Sequence, residues 1–198
     1  MIRQRYDLDI VIYWPHAVTY TMEGIYNAVG QELQKHWKVV RSKTVSWELP
    51  FEGGFHVDVV PGRALDGSFR ESNLFRTDTR TTLKTSLKTH IDTVRQSGRR
   101  DAIRLMRLWR ERKGVPFKKS FLLELMTISG CSGTRFDDLS AQVWAALHYV
   151  RDNILGCNVL DTANTNNSLS DDLTPGDRQG IYRAAQASTQ AKYWSEVF

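Results

Sequence analysis

Tyr6-Asp7-Leu8-Asp9-Ile10-Val11-Ile12-Tyr13 and, further along, Phe55-His56-Val57-Asp58-Val59-Val60-Pro61 set carboxylates inside runs of strand-forming residues. An Asp-x-Asp pair alone is a common solvated turn. Here each acidic site is followed by β-branched or apolar residues, which predicts strands over 8–13 and 55–60. A carboxylate on a buried sheet is costly unless it is paired or holds a metal. Asp7, Asp9 and Asp58 on neighbouring strands would repel one another until cations neutralised them. That is the pattern of a two-metal site for phosphoryl or nucleotidyl transfer.

Outward from these strands the pattern mixes classes. Met22, Ile25, Tyr26, Val29, Leu33 and Trp37 recur at helical spacing, predicting a helix over 21–36. Val39 to Trp47 reads as one strand, Glu52-Gly53-Gly54 as a turn, and Asp66-Gly67 as a hairpin between 63–65 and 68–70. After Arg76 the character becomes helical. Helices are predicted over 80–97, closed by Gly98, over 100–113 and over 119–128. Another spans 136–153, where Phe136, Leu139, Val143, Leu147, Val150 and Ile154 form a stripe. A polar loop follows over 161–172. Thr174-Pro175-Gly176-Asp177 then resembles a capping box that starts a helix to about Trp194. The change of class near residue 75 suggests two halves, 1–75 and 76–198, in an α+β chain.

Composition narrows the rest. With 41% hydrophobic and 25% charged residues in a 198-residue chain, the sequence is that of a globular protein. No apolar run reaches the roughly 18 residues a membrane span needs. The first residues lack the apolar stretch of a secretion signal. Cys131 and Cys157 fit no metal-ligand spacing and are expected to be reduced, buried thiols, which points to a cytoplasmic location. Between Arg76 and Lys119 there are 14 Lys or Arg against 4 Asp or Glu, so the remainder is net acidic. A basic belt beside acidic strands suits a polyanion, a nucleoside triphosphate or RNA, though it also describes a solvated helical surface.

With these residues in view, the chain resembles the polymerase-β-type nucleotidyltransferases. Within them it is most similar to the bacterial cyclic-GMP-AMP-synthase/DncV-like branch (the CD-NTases), related to oligoadenylate synthase. The two acidic strands carry the match. So do Ile103-Arg104-Leu105-Met106-Arg107-Leu108-Trp109, Lys119-Ser120-Phe121-Leu122-Leu123-Glu124-Leu125 and the loop Asp161-Thr162-Ala163-Asn164-Thr165-Asn166-Asn167. The resemblance implies a nucleotidyltransferase core with a mixed sheet over 1–75, and a helical, oligoadenylate-synthase-like nucleotide-binding half over 76–198. It implies that Asp7, Asp9 and Asp58 are catalytic and bind two Mg²⁺ ions, with Mn²⁺ as the alternative. Asp58 also helps activate a 2′- or 3′-hydroxyl. Arg107 and Ser120 hold the donor triphosphate, with Lys118 or Lys119 adding charge. Phe121 stacks on a base or is simply core. Asp161 and Asn164 order their loop. The implied activity is Mg²⁺-dependent synthesis of a cyclic or linear oligonucleotide second messenger that switches on an effector in antiphage defence.

Two readings stay open beside it. One is nucleotidyl transfer to RNA, protein or an antibiotic; the other is a non-catalytic module that binds nucleotide or RNA. The family carries Gly-Ser just before its aspartates, and here that motif would fall upstream of Met1. This suggests a longer gene product, a second chain supplying the missing part, or an inactive copy. It also predicts exposed apolar surface and association. Trp194-Ser195-Glu196-Val197-Phe198 resembles the family's tail, which a partner enzyme conjugates in some systems.

Overall fold

The computed structural model describes residues 7–198, with side chains from Leu8 onward. The chain divides into two compact units, Met1–Thr89 and His90–Phe198, beside the division near residue 75 expected from the sequence.

The first unit is built on a six-stranded sheet. β1 (Asp7–Trp14) leads to α1 (Met22–His36), which begins where Thr21 Oγ1 accepts from Gly24 N at 2.9 Å. β2 (Arg41–Ser42) and β3 (Trp47–Pro50) form an antiparallel hairpin. The single strand expected over Val39–Trp47 is therefore interrupted: Lys43 N donates back to Ser46 O at 2.9 Å and turns the chain. A 3-10 turn at Glu52–Gly54 contains Gly53 at φ 72°, in the left-handed region that glycine enters freely. β4 (His56–Ala64), β5 (Ser72–Arg76) and β6 (Thr81–Thr85) continue the sheet in antiparallel order. The Asp66-Gly67 turn does join β4 to β5. However, residues 68–70 lie in its loop, held by Asp66 Oδ1 accepting from Ser68 N at 2.8 Å, instead of in a strand.

β4 is the organising strand. β1 runs parallel to it along one edge, and β3 and β5 pair antiparallel to it. Its apolar residues Val57 and Val59 are buried with Leu49, and Val29 and Leu33 of α1 pack on that cluster. A second cluster joins Met22, Ile25, Tyr26 and Phe75, with Trp47 stacked on Tyr26 at 4.7 Å. Gly30 is required here, because a Cβ would lie 2.2 Å from the Trp47 ring. On the outer edge of the sheet, Leu8, Ile10 and Ile12 remain 49%, 42% and 40% exposed and form an apolar strip.

α2 (Leu87–Gln96) carries the chain across the division between units. The continuous helix expected over 80–97 is thus β6 followed by α2. The β-branched run Thr81-Thr82 and Thr85 pairs with β5 before the helix starts. Gly98, at φ 66°, ends α2 as expected.

The second unit is helical. α3 (Arg100–Arg112), α4 (Ser120–Gly130), α5 (Leu139–Asn153) and α6 (Pro175–Thr189) surround a core of Met106, Trp109, Leu122, Leu123, Met126, Leu147, Val150 and Ile181. Gly130 lets α4 approach α5 closely: a Cβ there would lie 2.8 Å from the Ala146 backbone. Phe136 does not join the α5 stripe. It is 71% exposed and precedes the helix, whose cap is Asp138. Its ring instead lies under the Arg99 guanidinium at 3.9 Å. The loop expected over 161–172 contains a short ribbon, β7 (Leu160–Asp161) with β8 (Asn164–Ser168). The capping box at Thr174 forms, with Asp177 accepting from Thr174 N at 2.9 Å and Asp177 N donating to Thr174 Oγ1 at 3.1 Å. The helix it starts ends at Thr189, and α7 (Trp194–Val197) is separate. Cys131 and Cys157 are free thiols.

Candidate active site

In the first unit the strand register decides the geometry. Asp9 pairs with Asp58 across β1 and β4, and Asp7 pairs with His56. On the other edge of β4, Glu48 pairs with Asp58. Side chains at registered positions share a face of the sheet. Asp9, Asp58 and Glu48 therefore lie in one row across three strands, on the face opposite the Val57 and Val59 core. The side chain of Asp7 lies outside the described residues.

Among the described residues Glu48, His56 and Asp58 can bring one ligand atom each within 4.8 Å of the others. Asp9 is not a member of that cluster. Asp58 is only 7% exposed. Its Oδ2 accepts from Lys43 Nζ at 2.6 Å, while its Oδ1 is buried with no hydrogen-bond partner. An orphaned buried carboxylate oxygen beside two further ligands fits a divalent cation, so these residues suit the metal the sequence predicts. The Glu48 carboxyl is held below its ordinary range, chiefly by Arg41 donating at 2.8 Å and with help from Lys43. Glu48 is thus held as an anion, with Arg41 on one oxygen and Lys43 3.7 Å from the other. Sequence reading missed Glu48 and His56; the alternation in Ser46-Trp47-Glu48-Leu49-Pro50 is the signal that marks Glu48 as an outward strand position.

In the second unit the predicted nucleotide residues gather around α3 and α4. Arg107 lies 3.5 Å from Glu124, and Arg110, one turn further on, donates to Ser120 Oγ at 2.9 Å. Burial pushes the Glu124 carboxyl up against the pull of Arg107 and Arg110, and burial, then Arg107, pushes the Arg110 guanidinium down. Two guanidiniums, one hydroxyl and the first turn of a helix make an anion-receptive corner. Phe121 is half-buried, with the His90 ring 4.2 Å away and inclined by 38°. His90 Nε2 lies 2.6 Å from Asp161 Oδ1, which also accepts from Ala163 N at 2.8 Å. Asp161 Oδ2 accepts from Asn167 at 3.3 Å. Asn164 sits opposite Asp161 in the ribbon and accepts from Asn166 N at 3.2 Å. Lys119 and Lys118 turn to other partners, Asp172 at 2.8 Å and Asp177 at 3.0 Å. His90 and Arg110 had no part in the sequence reading. His90 was hidden inside an expected helix, and Arg110 inside a helix face already crowded with charge. A separate cavity of about 430 Å³, lined by Lys113, Ala184, Ser188 and Glu196 among others, contains none of these residues.

The chain aligns with CdnC of E. coli MS115-1, solved with ATP, at TM-score 0.75 and 20% identity, covering 99% of this chain and 78% of that one. It aligns with CdnG of Bradyrhizobium diazoefficiens in complex with GTP at TM-score 0.73 and 11% identity, covering 98% and 75%. Vibrio cholerae DncV, a cyclic AMP-GMP synthase and prokaryotic cGAS homolog, gives TM-score 0.72 and 18% identity, covering 98% of this chain and 61% of DncV. CdnC has also been solved in complex with HORMA-deltaN. No family model matches the sequence, and the comparison with curated proteins gives no match. The fold is therefore that of the CD-NTases.

Proposed function

We propose that the chain is a nucleotidyltransferase of the CD-NTase kind, joining nucleoside triphosphates into a cyclic or linear oligonucleotide. The observation that carries the reading is the row Asp9, Asp58 and Glu48 on adjacent strands, with Asp58 Oδ1 buried and unpartnered. Asp9 and Asp58, with Asp7 in the same strand as Asp9, are the ligands of this reading, and Glu48 and His56 lie beside them. Bound there, Mg²⁺ or Mn²⁺ supplies Lewis acidity to the attacking hydroxyl and charge neutralisation to the departing pyrophosphate. The protein's own share is alignment and fixed charge. Asp58 supports the acceptor hydroxyl as it attacks the α-phosphorus of the donor. In this reading Arg107, Arg110 and Ser120 of the second unit are phosphate-binding residues, and Lys119 joins them on leaving Asp172. Phe121 offers a ring to a base, and the Asp161–Asn164 ribbon holds His90 against that ring. The product acts as a second messenger on an effector in antiphage defence, and the enzyme works in the cytoplasm. No described helix is long and apolar enough to cross a membrane.

The test is incubation of the chain with labelled nucleoside triphosphates and Mg²⁺ or Mn²⁺, with Asp58→Ala alongside. Phosphatase-resistant oligonucleotides, reduced at least ~10²-fold in the variant, are expected. Label appearing on added RNA or protein instead moves the reading to another acceptor. A folded chain that binds ATP but forms no product under either metal, alone or with an upstream extension, is a non-catalytic binding module.

A further inference from the structure

We propose that Lys43 is a built-in cation of the acidic cluster, which holds Asp58 until a divalent ion takes its place, so that lysine and ion compete for one site. This rests on reading the cluster as a cation site and goes beyond it by naming the competitor.

Lys43 Nζ lies 2.6 Å from Asp58 Oδ2 and 3.7 Å from Glu48 Oε2, bridging two of the three clustered ligands. A carboxylate as buried as Asp58 needs a positive partner, and the lysine serves only one of its oxygens. Arg41 already pairs with Glu48 on its other oxygen, so at Asp58 the lysine ammonium meets Oδ2 while the buried Oδ1 is left without a hydrogen-bond partner. A divalent ion, hard and oxygen-seeking, suits that carboxylate better than an ammonium. The turn carrying the lysine is clamped. Lys43 N donates to Ser46 O at 2.9 Å, and Lys43 O accepts from Tyr26 Oη at 3.0 Å and from Thr77 Oγ1 at 3.2 Å. The side chain is nonetheless 39% exposed. A fixed stem with a solvent-open head lets the ammonium leave by rotamer change alone, with no strand displaced.

The test is Mn²⁺ titration of the full chain, following free Mn²⁺ by electron paramagnetic resonance, for the wild type, Lys43→Met and Lys35→Met. Lys35 pairs with Glu32 on the exposed face of α1 and controls for lost charge. The expected result is that Lys43→Met binds Mn²⁺ about fivefold more tightly or better while Lys35→Met is unchanged. In the wild type, Mg²⁺ should also raise the rate at which Lys43 reacts with an amine-acylating ester, read by peptide mass spectrometry against Lys35. That second readout stands even if the variant folds poorly. Wild-type Mn²⁺ binding with Lys43→Met no tighter, or Lys43 reactivity unmoved at saturating Mg²⁺, overturns the competition and leaves the enzyme reading intact. Absence of Mn²⁺ binding in both chains overturns the two together.

Discussion

Removing the Asp161 carboxylate tests whether the ribbon truly anchors His90. Asp161 is 5% exposed and accepts three hydrogen bonds, from His90, Ala163 N and Asn167. Hydrogen bonds to a charged acceptor are worth about 1.5–3 kcal/mol each in mutational series, and neighbours sharing one acceptor do not add. Asp161→Ala deletes the acceptor for all three and should cost about 3 kcal/mol. Asp161→Asn keeps one carbonyl oxygen but loses the charge and turns a donor toward a donor at Asn167, costing about 1 kcal/mol. At roughly 2–4 °C per kcal/mol for a chain of this size, calorimetry should show Tm lower by about 6–12 °C for the alanine variant.

The acid dependence sharpens the test. Burial alone would raise the Asp161 carboxyl, but His90, the Ala163 amide and Asn167 together hold it below its ordinary 3.8. The unfolded chain therefore takes up this proton first as acid is added. The stabilisation is complete well above pH 3.8 and fades as the pH falls through the folded value beneath it. The Tm gap between wild type and Asp161→Ala should close in that window. A gap that stays constant from neutral pH to pH ~3, or an asparagine variant as stable as the wild type, would refute the argument that the charge is what binds the ribbon to His90.

Two further outcomes follow from packing. Gly130→Ala forces α4 off α5, because the new methyl meets the backbone at Ala146 with no flexible atom to yield, and urea unfolding should show a loss of about 2–3 kcal/mol. Ile10→Lys puts a charge in the exposed apolar strip of β1, a standard guard against strand-edge association. Sedimentation should show less association at high protein concentration with unchanged stability, and association that persists undiminished would clear this edge of responsibility.

How far the sequence was legible depends on the kind of residue. Asp9 and Asp58 were readable because each sits in a short β-branched run, and such runs have few alternatives to a strand. That their strands are neighbours was inferred from the carboxylates themselves, but the register that pairs Asp9 with Asp58 was not legible, because strand residues alone do not fix which positions face each other. Glu48 was lost for a related reason. The turn at Lys43–Ser46 is made by a backbone hydrogen bond without glycine or proline to mark it, so one strand was read where two exist. His90 disappeared into an overlong helix, although Thr81-Thr82 and Thr85 argued for a strand first. The capped start at Thr174 and the helix over 100–113 came out within a residue because local chemistry decides them, whereas the end expected near Trp194 falls at Thr189. The individual roles of the nucleotide residues rest on resemblance, not on spacing.

The basic belt shows why a sequence count misleads about charge. Of its 14 cations, at least seven pair with carboxylates in the fold. Arg76 pairs with Asp78, Arg80 with Glu23, Lys84 with Glu71, Arg104 with Asp101, Arg107 with Glu124, Lys118 with Asp177 and Lys119 with Asp172. Arg112 and Lys113 donate to the carbonyls of Phe198 and Glu196, and Arg99 is buried on three carbonyls. A polyanion must displace these partners before it gains from the cations. Single-stranded RNA neutralised by all 14 would give a salt slope near ~10 in log K against log[salt]. With half of them already paired, the slope should be about 5 or less. A filter-binding titration over salt decides the matter. A slope near 10 would restore the belt as an RNA surface and the binding-module reading with it. A shallow slope, alongside ATP binding that Arg110→Ala weakens, leaves the cations of α3 and α4 as a small site for a nucleoside triphosphate.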